Sequence, residues 1–189
     1  DARLTFAPDA ALHVGLSTNV RALLSVGVHS APTNDSRLVC GKVFNAYLTH
    51  LYAGVYSSAS ALFTYGLIDL SAATNHGVLD VAGDVIIGED DCAYGEVIVP
   101  DTIDVRIGTA QARGGKLYLA NNDKQTPPGA SRLTLGSGRF DAYITDLGVG
   151  CAGSAGYRFA GQLDAANVSG GILDVSYNFL VAGSGVTEG

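Results

Sequence analysis

Apolar and polar residues alternate with period two along most of this chain, the pattern of half-buried β-strands. Residues 1–16 hold two such runs, Leu4-Thr5-Phe6 and Leu12-His13-Val14-Gly15-Leu16, divided by Pro8-Asp9. Proline cannot donate to a strand ladder, so Pro8 separates the runs. A longer strand follows, with Val20, Ala22, Leu24, Val26 and Val28 on one face and Arg21, Leu23, Ser25, Gly27 and His29 on the other. Residues 44–55 break the rule. Phe44, Tyr47, Leu48, Leu51, Tyr52 and Val55 recur at helical spacing, which predicts a short helix there.

Beyond that point the chain reads as short strands with turn residues between them. Strands are expected at Leu38–Phe44, Leu62–Leu70, Val78–Val81, Val85–Ile87, Glu96–Val99, Ile103–Ile107, Lys116–Leu119, Arg132–Leu135, Arg139–Thr145, Tyr157–Leu163 and Ile172–Ala182. Gly83-Asp84, Pro100-Asp101 and Asn121-Asn122-Asp123 mark turns, and Gly114-Gly115 predicts a hairpin. In the last strand Leu173, Val175, Tyr177, Phe179 and Val181 share a face. Short strands at intervals of about 8–12 residues point to a sandwich or barrel. No repeat of fixed period is visible, which argues against a solenoid or propeller. The expected fold is an all-β, jelly-roll-like or Greek-key β-sandwich. Its parts are an N-terminal arm (1–16), one domain (17–182) and a polar tail (183–189).

Composition agrees with a β protein. The 189 residues include only 3 Glu and 3 Lys, and no Met, whereas Val, Ile and Thr number 38. Charged residues make up 15% and hydrophobic residues 47%, which excludes a disordered polyelectrolyte. The net charge of −7 argues against a nucleic-acid partner, which needs clustered cations. No run approaches the 18 or so apolar residues of a membrane helix.

Candidate chemistry is sparse. Gly148-Val149-Gly150-Cys151-Ala152-Gly153 fits GxGxxG, but no helix start follows it, and a dinucleotide fingerprint needs one. His13, His29, His50 and His76 form no ligand or catalytic spacing. Glu89-Asp90-Asp91, near Glu96, is the one dense acidic cluster; it lacks EF-hand spacing and reads better as a solvated turn than as a calcium site. Cys40, Cys92 and Cys151 are odd in number and widely spaced, which fits either one disulfide and a free thiol or three buried thiols. No catalytic residue, cofactor or metal is assigned, and no enzyme is expected. The start at Asp1 without Met reads as the product of a removed export signal, and the sequons at Asn34 and Asn167 are glycosylation candidates suited to an extracellular or cell-surface protein.

An alternating strand at a terminus cannot satisfy its own backbone and must pair with a sheet edge, its own or a neighbour's. With its β-rich composition, its processed N-terminus and its strand-like arm, the chain resembles donor-strand-assembled pilus and fibre subunits of microbial surfaces. The resemblance implies an extracellular self-assembling filament in which copies of the chain are the partner. Leu4, Phe6, Leu12, Val14 and Leu16 would then form the subunit interface. The alternatives are a jelly-roll viral capsid or decoration protein and a secreted carbohydrate-binding module with glycans as partners.

Overall fold

The computed structural model describes residues 2–28, 34–55, 63–89, 93–122, 129–152 and 160–184. Among them there is no helix, and every ladder between strands is parallel. The chain is a β-solenoid of about five turns. The first turn consists of β1 (Ala2–Thr5), β2 (Ala11–Val14) and β3 (Ala22–Val28), the second of β4 (Asn34–Val39) and β5 (Val43–Val55). Next come β6 (Thr64–Asp69), β7 (Gly77–Val81) and β8 (Val85–Glu89), then β9 (Ala93–Val99), β10 (Ile103–Ile107) and β11 (Gly114–Asn122). β12 (Ser131–Leu135) and β13 (Phe140–Ala152) make the fifth turn, and β14 (Gly161–Asp164) and β15 (Gly171–Ser184) cover its end.

Two sheets result. One stacks β1, β4, β6, β9, β12 and β14 in that order; the other contains the nine remaining strands. The second sheet is bent into two limbs because β5, β13 and β15 run across both. β5, for example, pairs with β2 and β7 through its first half and with β3 and β8 through its second.

Stacking in register turns each strand position into a column along the solenoid. In the first sheet Leu4, Leu38, Ile68, Val97, Leu133 and Leu163 form one inward column. In the second limb Leu24, Leu51, Val85, Leu117, Leu147 and Phe179 form another. The members of each column in the middle turns are buried. Full burial of a side chain of this size stabilises by roughly 1.5–3 kcal/mol. The core is therefore a set of like-on-like apolar stacks, each turn covering the next.

The jelly-roll or Greek-key sandwich expected from the sequence is thus corrected to a parallel solenoid. Period-two alternation is the same in either fold; the difference lies in which strands pair. The repeat is present but uneven, since the Leu4 column advances by 34, 30, 29, 36 and 30 residues. Corner loops of varying length absorb the difference, so no fixed period shows. The Gly114-Gly115 hairpin is also corrected: β10 pairs with β7 and β13, while β11 pairs with β8 and β13.

The expected helix over 44–55 is the continuous strand β5. Phe44, Ala46 and Leu48 point inward, then the strand turns between limbs and Leu51 and Ala53 point inward. The register against β3 shifts at that bend, after the Ala22–Leu48 pair. Two inward residues three apart, Leu48 and Leu51, imitate helical spacing.

Candidate functional site: open ends and an outward cleft

A strand inside a solenoid is bonded along both edges, whereas one in a terminal turn is bonded along one. Among the described residues β1 pairs only with β4, and β2 and β3 only with β5; at the other end β14 pairs only with β12, and β15 only with β13. Among the described residues no strand lies against the outer edge of either end turn, and such an edge is a template for pairing. The apolar columns are also left uncovered there. Of the large hydrophobic side chains exposed among the described residues, all but Phe63 lie in the first turn or in β15. Leu4 is 56% exposed although its column mates Leu38 and Ile68 are buried, and Phe179 is 62% exposed above buried Leu147. At the N-terminal end the core opens as a cavity of about 660 Å³ lined by Leu4, Leu12, Val14, Leu24 and Val26.

The residues expected to form an arm lie in this first turn. Phe6 donates its backbone N–H to Val39 O at 3.0 Å, and Phe6, Leu12 and Val14 pack against the chain's own core. Leu16 is exposed at a tight bend, where its N–H is donated to Val20 O at 2.8 Å. The bend is held by Arg21, which donates to Thr18 O, Leu48 O and the Asp80 carboxylate. Residues 2–14 thus find their strand partners in β4 and β5, which removes the need for a neighbour's groove. Asn34 begins β4, and Asn167 is exposed in the turn between β14 and β15.

A second feature lies on the outer surface of the six-stranded sheet. Asp35, Tyr65 and Tyr94 occupy one outward column, and Arg37, Leu67, Glu96 and Arg132 the column two residues on. The Arg37 guanidinium binds Asp35 through two hydrogen bonds of 2.7 Å and lies over the Tyr65 ring, 5.7 Å from its centroid. Tyr65 and Tyr94 pack with centroids 4.8 Å apart. The Tyr65 hydroxyl donates to Glu96 Oε2 at 3.0 Å, and Arg132 Nη1 lies 3.7 Å from Glu96 Oε1. With Phe63 and Gly129 these residues, Leu67 excepted, line a cleft of about 420 Å³.

The electrostatics follow from this packing. The hydrogen bonds from Arg37 hold the Asp35 carboxyl below its ordinary pKa. Burial, then the bond to Glu96, raises the Tyr65 phenol well above its ordinary value, and burial also raises Tyr94. The cluster is not legible in the sequence, because its strands lie about thirty residues apart and meet only through the parallel register.

The remaining sequence candidates do not converge. Gly148–Ala152 lies within β13, so GxGxxG here does not lead from a strand into a helix. Glu89 ends β8, where Asn121 Nδ2 donates to it at 3.4 Å; Asp90 and Asp91 lie outside the described residues. No group of three His, Cys, Asp or Glu that could hold a metal occurs among the described residues. His50 accepts the Asp84 N–H at 3.0 Å, His76 lies 3.6 Å from Asp104, and His29 and Cys92 are outside the described residues. Cys40 is a buried thiol whose pKa burial, with Asp69 nearby, pushes up to about 12, which makes it a poor nucleophile.

Fold and site together define a parallel β-solenoid whose end turns, among the described residues, have strand neighbours on one side only. No family model matches the chain, and no curated protein or solved structure matches it either.

Proposed function

We propose that this protein is a structural subunit of an extracellular filament, in which copies stack end to end by β-strand addition. The observation that carries the reading is the pair of end turns, which among the described residues have strand neighbours on one side only and leave their apolar columns exposed. Edge strands of this kind are templates for pairing, and natural solenoids blunt them with polar caps. The occupant that fits is a second copy, because the two ends are sections through the same columns. β1 and β14 are both four residues long, and the ladder register continued by one step sets Leu4 on Leu163 and Arg3 on Gln162. In the second limb the same step sets Leu24 on Phe179 and Val26 on Val181. This contact is head-to-tail and does not close on itself, so it produces a filament. The strands added are those of a whole terminal turn, not a detached arm. The exposed sequon at Asn167 and the scarcity of Lys suit an extracellular setting.

Negative-stain microscopy and sedimentation of the purified chain test the reading. Filaments one solenoid wide, lengthening with protein concentration, are expected. Phe179→Lys puts an ammonium where the next copy's Leu24 column would bury it, at a cost of several kcal/mol per contact. That variant should remain a folded, β-rich monomer. A wild-type chain that stays monomeric at every concentration, or a Phe179→Lys chain that still forms filaments, overturns the proposal.

A further inference from the structure

We propose that the outward cleft around Tyr65 and Tyr94 binds a neutral oligosaccharide of hexopyranose units. The cleft combines two features that such a ligand needs. Phe63, Tyr65 and Tyr94 supply aromatic surface for the C–H faces of a pyranose, and Asp35, Arg37, Glu96 and Arg132 supply planar donors and acceptors for its hydroxyls. The volume of about 420 Å³ lies within the 300–1,000 Å³ or so typical of small-ligand sites.

Charge pairing selects a neutral ligand. Each guanidinium already has a carboxylate, Arg37 with Asp35 and Arg132 with Glu96, so the four groups sum to zero. An anion drawn to either arginine meets the carboxylate beside it, and a cation drawn to either carboxylate meets the arginine, so neither sign of charge is favoured. An apolar ligand would desolvate both pairs without replacing their hydrogen bonds. A polyhydroxylated ligand loses neither, because its hydroxyls can share the Glu96 oxygens and the remaining guanidinium N–H groups of Arg37 and Arg132.

The side chains are also held in place before any ligand arrives. Arg37 is fixed by its two bonds to Asp35 and its position over Tyr65; Tyr65 is fixed by Glu96. The backbone of Gly129 lies so close to the Tyr94 ring that a Cβ there would come within 2.8 Å of two ring carbons. Such preorganisation lowers the entropy lost on binding.

Calorimetric titration of the whole chain with cellohexaose, mannohexaose and galactohexaose tests the proposal, with hexagalacturonate as the anionic probe. Saturable binding of at least one neutral probe is expected, tighter than that of hexagalacturonate. Tyr94→Ala should weaken it at least about tenfold, the loss typical of an anchor side chain. Tyr94→Phe keeps the ring and should stay within about threefold of wild type, or about 0.65 kcal/mol. Arg132→Ala removes an exposed side chain and should also weaken binding in a chain with an unchanged circular dichroism spectrum. The proposal is overturned if none of the three neutral probes binds, if hexagalacturonate binds more tightly, or if Tyr94→Ala and Arg132→Ala leave affinity unchanged. End-to-end assembly is read separately, so either proposal can fail alone.

Discussion

One backbone position recurs in every turn from the first to the fifth and sets how closely the sheets approach. Gly27, Gly54, Gly88, Ala120 and Gly150 follow the inward residues Val26, Ala53, Ile87, Leu119 and Val149, and all five have positive φ between 59° and 72°. Glycine adopts this conformation without penalty, whereas other L-residues lose about 1–2 kcal/mol. At Gly54 space is as restrictive as the dihedral, because a Cβ would overlap the carbonyl oxygen of Tyr94. Gly54→Ala should therefore cost at least about 3 kcal/mol, backbone strain and overlap combined. Ala120 already bears the strain. Ala120→Gly relieves it but removes a buried methyl worth about 0.8 kcal/mol and raises unfolded-chain entropy by about 0.4–1 kcal/mol, so the net change should lie within about 1 kcal/mol of zero. Urea denaturation of the two variants in the Phe179→Lys background separates these outcomes, and equal losses would show that the left-handed column is not what spaces the sheets.

At the scale of elements, strand existence was legible and strand partnership was not. Ile103–Ile107 was placed to the residue, and most other expected strands overlap observed ones, because an inward-outward alternation looks the same whichever neighbour a strand takes. The left-handed column was in plain view as Val-Gly-Val, Ala-Gly-Val, Ile-Gly-Glu and Val-Gly-Cys, but its spacing varies and one member is Ala120. The bend in β5 misled because it puts Leu48 and Leu51 on one side. β15 has a comparable irregularity: one extra residue between Val175 and Asn178, against Ile144 and Asp146 of β13, carries Tyr177 out to solvent while Phe179 stays on the core column. Contacts between neighbouring strands also make a pH prediction. Tyr65 on β6 donates to Glu96 on β9 and has a raised pKa in the fold, so the unfolded chain loses this proton first as pH rises. The stabilisation is complete below about pH 10, the ordinary phenol value, and is lost above it. Melting temperature should fall above about pH 10 more steeply in wild type than in Tyr65→Phe. Parallel curves would mean that Tyr65 is not protected. Some slope should survive in the variant, because Tyr52 and Tyr94 are raised by burial too.

The whole molecule behaves as a one-dimensional stack, in which each turn is stabilised by the turns above and below it. Among the described residues the first and last turns have a strand neighbour on one side only, and no local pattern in Leu4 or Phe179 distinguishes them from the buried members of their columns. The ends were therefore not legible as a site, even though the sequence pointed to the residues of the first turn. Assembly by these ends makes a directional prediction. Leu4→Lys spoils the N-terminal end and leaves the C-terminal end intact; Phe179→Lys does the reverse. Both side chains are mostly exposed in the single chain, so each variant should fold. Each alone should be monomeric, since a head-to-tail contact needs one end of each kind. Mixed in equal amounts, they should form a one-to-one dimer and stop, because the Leu4→Lys chain offers its sound C-terminal end to the sound N-terminal end of the Phe179→Lys chain and both remaining ends are charged. Sedimentation velocity of the two proteins and their mixture reads this directly. Self-association of either variant alone would indicate contact between like ends, which gives closed pairs in place of a polymer. A mixture that stays monomeric would mean that the exposed columns are not what the copies use.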